Sequence, residues 1–384
     1  GHPDLDASIW TNPAEIAGDG IDNDGNGYID DTMGWDFVAG ENDPMDENGH
    51  STHVAGTIAA AGDNAIGVAG LCWRGAVMAL RAFDAEGNGT VADVVAAMDY
   101  ARMKGARVVN ASYAGEDFSQ AEYEAIGRLQ DAGILLVVAA GNDGVNTDRY
   151  PNYPAGYDLL NIIAVAATDG NDRLAFFSNF GPTRVHVAAP GDSIRSTYLN
   201  NDYAVISGTS MAGPHVSGLA ALVWSASPGL AASQVKARIL DNVDRLDDLS
   251  GAIFTAGRIN AYNSLLNIPA PPSRFAVDGA SDGQIVLGWD DNYTGAVSVK
   301  IERRESAGGA FAEIALVAPG TFVYHDTGVQ TSMTYSYRAR ASNGENDSAY
   351  TAEASATART SSSGHGGGGG GGGGGCFLTS LLAD

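Results

Sequence analysis

The pattern of apolar and polar positions changes character once along this chain, close to Ile268. Before that point, short and nearly continuous apolar runs alternate with stretches of helical spacing. Residues 76–80, 107–112, 134–139 and 162–167 are runs of this kind. They are too short for buried helices and rich in Val and Ile, so they predict strands covered on both faces. Residues 90–103 and 121–132 carry apolar side chains at helical spacing. Strands alternating with helices predict an α/β domain, three layers thick, with a mainly parallel sheet. Function is then expected at the carboxyl ends of the strands.

Residues 268–272, Ile-Pro-Ala-Pro-Pro, form a stiff break, and beyond them the period becomes two. Residues 284–289, 297–302 and 334–340 read as strands of a small β-sandwich. The expected organisation is a first domain at 1–268, a Pro-rich linker at 269–273 and a sandwich at 274–358. A Ser/Gly-rich linker at 359–375 and a short tail at 376–384 follow.

Composition narrows the partners. The formal net charge of −25 over 384 residues argues against nucleic acid and anionic membrane, both of which would repel the chain. It suits cation binding and a secreted setting. No apolar run approaches the roughly 20 residues of a membrane span. Cys72 stands in an apolar context and reads as a small core residue, and Cys376 follows the glycine run, so a disulfide between them is not expected. The chain opens in mid-motif on Gly-His-Pro-Asp-Leu and reads as a cut end.

Three segments carry chemistry. In Gly208-Thr-Ser-Met-Ala-Gly-Pro-His215, a turn of small residues presents Ser210 ahead of the apolar run 216–224. A serine at a helix start lies in the positive field of the helix N-terminus but needs a base to become a nucleophile. The second segment, Asn48-Gly-His-Ser-Thr-His-Val-Ala-Gly-Thr57, places His50 at a loop-to-helix junction. An imidazole titrates near neutrality and suits that task. In the third, residues 137–144, a buried strand ends in small residues and then Asn142, whose amide can donate to a developing oxyanion. His2, His53 and His215 read as structural.

Together and in this order, the three segments closely resemble the subtilisin-like serine proteases, over residues 1 to about 266. The resemblance implies His50 as general base and then acid, Ser210 as nucleophile, and Asn142 with the Ser210 N–H as oxyanion hole. It implies that Ser112, Tyr113, Ala114 and Gly115, with Gly87, Asn88 and Gly89, pair with a peptide substrate. Ala139, Ala140 and Gly141 would wall the S1 pocket, with Asn152 at its base. Tyr153-Pro154 matches a position the family tends to keep cis, and residues 176–181 match a segment read as packing under the cleft.

Departures from the family pattern are informative. Ser51 and Ala114 each replace a usual glycine. No Asp-(Thr/Ser)-Gly motif precedes His50, so the catalytic aspartate is expected upstream of Gly1. Without it the histidine loses its orienting group, and the fragment is expected to be nearly inactive. Asp326-Thr-Gly328 is a decoy in a sandwich turn, and Asp4 and Asp6 come too late. The rival reading is a catalytically inactive subtilase that binds peptides or serves adhesion.

Residues 22–31 alternate oxygen-bearing side chains around Gly27, like the first half of an EF-hand loop. Asp22, Asp24, Asn26, the Tyr28 carbonyl, and Asp30 or Asp31 are the expected calcium ligands. Met33 stands where an EF-hand has its closing glutamate. The sandwich resembles a fibronectin type III module, with Trp289 as core tryptophan and Tyr335 as corner tyrosine. The tail resembles the glycine-then-cysteine sorting tails of secreted bacterial proteins and suggests surface association. The expected protein is a secreted monomeric endopeptidase that acts on protein or peptide substrates.

Overall fold

The computed structural model describes residues 2–359, apart from 282, 291 and 307. The expected tail at 376–384, with Cys376, and the linker from residue 360 lie outside the described residues. In chain order the strands of the first domain are β1 (Gly34–Asp36), β2 (Ala79–Arg81), β3 (Val108–Ala111), β4 (Leu135–Ala139), β5 (Ile162–Thr168), β6 (Val187–Pro190), β7 (Ile194–Tyr198), β8 (Asp202–Ile206), β9 (Asp244–Arg245) and β10 (Gly257–Arg258). Its helices are α1 (His50–Ala59), α2 (Val91–Met103), α3 (Gln120–Asp131), α4 (Thr209–Ala226), α5 (Ala232–Leu240) and α6 (Ala261–Leu266).

The central sheet runs β3-β4-β5-β6-β10-β9, parallel from β3 to β10, with β9 antiparallel at one edge. Both faces are covered, and the period of two shows how. Leu135, Val137, Ile163 and Val165 pack with Val216, Leu219 and Val223 of α4 and with Val235 and Ile239 of α5. Leu136, Val138, Ile162 and Ala164 pack on the opposite face with Met98 of α2 and with Ile126 and Leu129 of α3. Every residue of β4 and β5 is buried. That burial explains why these strands read as continuous apolar runs rather than as alternating ones.

The expected run 76–80 is shifted as a strand, since Ala79–Arg81 pairs with β1 while Val77 makes only an isolated parallel bridge to Ile9. β6 and the β7–β8 hairpin were not expected. The strand pattern of β7 is half exposed, with a Ser-Thr pair buried by hydrogen bonding to α1 instead of by apolarity. Tyr153-Pro154 is cis, as the resemblance implied.

After the Pro-rich break come β11 (Ser273–Ser281), β12 (Gln284–Asp290), β13 (Ser298–Glu305), β14 (Ala312–Val317), β15 (Val323–Asp326), β16 (Thr334–Ser342) and β17 (Ala354–Thr357). They form two antiparallel sheets, β11-β12-β15 and β14-β13-β16-β17. Ile285, Leu287, Trp289, Val299, Ile301 and Tyr337 fill the space between them. The Asp326 carboxylate is buried there, bonded to Arg303 and to the Tyr337 hydroxyl (2.8 Å), which removes it from any role at His50. Two loops of this sandwich meet the first domain. The Asp241 carboxylate accepts from Thr294 N, Thr294 Oγ1 and Gly295 N (2.6, 2.9 and 2.8 Å). Asn343 and Asn346 donate to the carbonyls of Asn267 and Leu266 (2.7 and 3.0 Å) at the end of α6.

Candidate active site

The carboxyl ends of β3 and β4 converge on the start of α4. Ser210 is the second residue of that helix, as its sequence context predicts. Its Oγ donates to the Ser112 carbonyl (3.2 Å), and Ser112 Oγ donates back to the Ser210 carbonyl (2.9 Å). Asn110 Nδ2 donates to the same Ser112 hydroxyl (2.9 Å). The segment leaving β3 is thus tied to the serine turn by side-chain bonds.

Asn142 follows β4 across the Ala140-Gly141 corner. Gly141 has φ +104°, and a Cβ there would lie 2.3 Å from Asn179 Nδ2, so only glycine fits. Asn142 Oδ1 accepts from Thr209 N (2.8 Å) and Thr209 Oγ1 (2.9 Å). Two donors on one oxygen fix the orientation of the amide and leave Nδ2 for a ligand. A Cβ on Gly208 would stand 3.6 Å from Asn142 Nδ2 and 3.7 Å from the Ser210 nitrogen. Glycine therefore keeps open a space that two N–H donors border, which is what an oxyanion hole requires.

His50 is the first residue of α1, which packs against α4. Burial lowers the pKa of its ring, and the nearby Asp46 carboxylate opposes that shift. The ring makes no hydrogen bond among the described residues. Asp46, overlooked in the sequence, accepts from the N–H groups of Asn48, Gly49 and Thr52 and from the Thr52 hydroxyl. Burial opposes its ionisation, yet these donors hold its carboxyl below the usual aspartate range. It caps the helix that carries His50 and makes no hydrogen bond to the ring. Asp4 is likewise committed, to Asn64, Val68 N and Tyr203. His2, His53 and His215 bond the carbonyls of Asp202, Ile194 and Met211, in line with structural roles.

The expected substrate segments lie beside this centre with their backbones unequally available. Gly115 is bonded to Tyr153 through both N–H and C=O (2.8 and 2.7 Å), and the Ser112 carbonyl is engaged by Ser210 Oγ, which leaves Tyr113 and Ala114. The turn holding Gly87 and Asn88 is closed on Asp84, and Asn48 Nδ2 ties it to the His50 loop through the Ala85 carbonyl (2.8 Å). Ala139 and Ala140 are buried. Asn152 Nδ2 lies 3.1 Å from the Cβ position of Gly141, and its Oδ1 is buried without a partner. Phe176 departs from the reading of residues 176–181 as packing. It is 92% exposed, because the chain turns there and sends Phe177 inward instead.

In the acidic loop, single carboxylate oxygens of Glu15, Asp22 and Asp24 lie within 4.8 Å of one another. Glu15 was not among the expected ligands, and no local pattern marks it. Every expected side-chain ligand already has partners: Asp22 accepts from the N–H groups of Gly25, Asn26 and Gly27, and Asp24 is paired with Lys104. Asp30 accepts from the N–H groups of Gly18, Asp19 and Gly20, and Asn26 Oδ1 accepts from Tyr28 N. Asp31 is fully buried against Asn12, Asn26, Tyr100 and Lys104.

A parallel sheet covered on both faces, with the serine on a helix between strand ends and the amide beside it, defines an α/β domain of the subtilisin type. Residues 1–264 match the Peptidase_S8 family model, described as the subtilase family. The chain is 40% identical over 261 residues to thermitase of Thermoactinomyces vulgaris, covering 68% of this chain and 86% of that protein. It is 44% identical over 232 residues to the thermophilic serine proteinase of Bacillus sp. (strain AK1), covering 60% of this chain and 56% of that one, so it spans little over half of that relative. Among solved structures, a cold adapted subtilisin-like serine proteinase aligns with TM-score 0.52 and 32% identity, over 59% of this chain and 78% of that chain. The chain belongs to the subtilase family of serine proteinases.

Proposed function

We propose that the protein is a serine endopeptidase that hydrolyses peptide bonds of protein substrates through an acyl-enzyme on Ser210. The observation that carries this reading is the clamp of Thr209 on Asn142 Oδ1, which turns Nδ2 toward the space beside Ser210 N. Ser210 Oγ attacks the substrate carbonyl while His50 takes its proton. The oxyanion is held by Asn142 Nδ2 and Ser210 N. His50 then protonates the leaving amine, and water repeats the sequence in reverse. The reading requires a carboxylate on the His50 ring. No described residue supplies it, and the reading assigns it to an aspartate ahead of residue 1, as the family pattern implies. Full-length chain carrying that aspartate should label with a fluorophosphonate probe, and Ser210→Ala should abolish the label. Persistent labelling of the variant would move the nucleophile elsewhere.

The unbonded His50 ring favours one alternative, an inactive subtilase that binds peptides or acts in adhesion. A full-length chain that binds peptides yet never labels would establish it.

Further parts of the reading rest on separate supports. Calcium is the cation we assign to the acidic loop, held by Asp22 and Asp24 with Glu15, since hard oxygen donors suit it and Glu15 Oε2 is buried without a partner. When bound, it would neutralise the carboxylates and stiffen the loop. The sandwich reads as a fibronectin type III module. Trp289 lies in its core, and Tyr335 OH accepts from Gln330 N (3.0 Å), as a corner tyrosine is placed to do. Domain limits of 1–268 and 274–358, a monomeric state and a secreted setting belong to the same proposal.

A further inference from the structure

An open cavity of about 510 Å³ is lined by Asp169, Arg173, Leu174, Ala175, Phe176, Asp192 and Asp248. It lies at the carboxyl ends of β5, which neighbours β4 in the sheet, and of β6 beyond it. Crossing the strand ends in sheet order, one meets Ser112 after β3, Asn142 after β4, and then the cavity. Its walls continue the segments that hold the oxyanion donors. Asp192 Oδ1 accepts from Ser207 Oγ (2.7 Å), and Gly208 N donates to the Gly191 carbonyl (2.8 Å). On the other side, Gly144 N donates to the Phe177 carbonyl (2.8 Å), which joins the Asn142 loop to the Phe176 turn.

A peptide whose reacting carbonyl sits at Asn142 and whose acyl half lies along Ser112–Ala114 must send its leaving half toward this cavity. The lining tells what it would accept there. Arg173 is spent on Asp169, which it meets through both Nε and Nη2 (3.1 and 2.9 Å). Asp192 has one oxygen on hydroxyls, and the exposed Asp248 carboxylate has no partner among the described residues. Beside these carboxylates stands the Phe176 ring, 92% exposed. An aromatic face next to uncompensated carboxylates matches a guanidinium or ammonium on an alkyl stem.

We propose that this cavity is a subsite for a basic side chain, Arg or Lys, on the leaving-group side of the cut bond. The inference rests on the catalytic reading above. Exposed carboxylates and one cation–π contact together give about a tenfold preference for Arg over Gln. The test uses Ser210→Ala protein and two labelled peptides that differ only by Arg or Gln at the second and third positions after the cut bond, read by fluorescence anisotropy. Tighter binding of the Arg peptide, weakening with salt and lost in the Phe176→Leu/Asp248→Asn double variant, is expected. Both side chains are exposed, and an unchanged melting temperature would show that the double variant is folded. Equal affinities, or an Arg preference that survives the double substitution, would overturn the assignment. Fluorophosphonate labelling of unsubstituted full-length chain reads the catalytic proposal separately. Labelling without Arg preference refutes the subsite alone. Arg preference without labelling refutes the chemistry and leaves a cation-selecting site.

Discussion

Asp241→Ala should uncouple the sandwich from the first domain. Asp241 is 6% exposed and receives three hydrogen bonds, two of them from the backbone N–H groups of Thr294 and Gly295. Thr294 and Gly295 are themselves exposed, so water can take over the freed donors and each lost bond costs about 0.5–1.5 kcal/mol. Relief of a buried charge returns part of this, so the net cost is about 1–2 kcal/mol. Thr294→Val removes only the hydroxyl donor and should cost about 1 kcal/mol. The pH dependence has a definite sign. Burial outweighs the three donors and raises the Asp241 carboxyl above the ordinary range. The folded state therefore holds that proton more tightly than the unfolded state. Its contribution is complete below the unfolded pKa, about 3.9, and is lost as pH rises through the folded value. Calorimetry at acid and neutral pH reads all of this. The parent chain should melt as one unit, and Asp241→Ala should split off an earlier transition by about 5–10 °C, more clearly at acid pH. An unsplit, unshifted transition in Asp241→Ala would refute the reasoning.

Other expectations concern the site. Asn142→Ala in the full-length enzyme should lower kcat by about 10²–10³ with little change in KM, the size of effect known for loss of one oxyanion donor in subtilisin itself. An equal fall in binding would argue against the transition-state role. Because burial lowers the His50 pKa, the acid limb of fluorophosphonate labelling of the present chain should fall below the ordinary value of about 6.5, and restoring an aspartate should move it upward. A limb that stays put in both forms would contradict the environment described for His50. Chelation by EDTA should lower the melting temperature, and Glu15→Gln should diminish that response. A melt indifferent to chelator would remove the calcium assignment.

Much of this architecture was legible because local pattern and tertiary role coincide. The strands at 134–139 and 162–167 are buried on both faces, so their apolar runs needed no context. Ser210, His50 and Asn142 stand at element junctions marked by small residues, and those junctions are where the structure places them. The hairpin β7–β8 was illegible because its inward side chains are polar and satisfied by α1 carbonyls. Glu15 joins Asp22 and Asp24 only through the path of the loop, and Phe176 faces solvent only because the turn chooses Phe177 for the core.

The sequence by itself determined the parallel α/β domain, the change to a sandwich after Ile268, and the chemical identity of serine, histidine and amide. Hydrophobic period and local turn chemistry are short-range properties, and they are written residue by residue. Tertiary structure decided what those groups can do. Thr209 commits one end of the Asn142 amide, Asp46 is consumed as a helix cap, and Asp326 is paired with Arg303 far from His50. Each of these outcomes depends on which donor meets which acceptor across a long stretch of chain, and a buried polar group takes whatever partner the packing brings within reach.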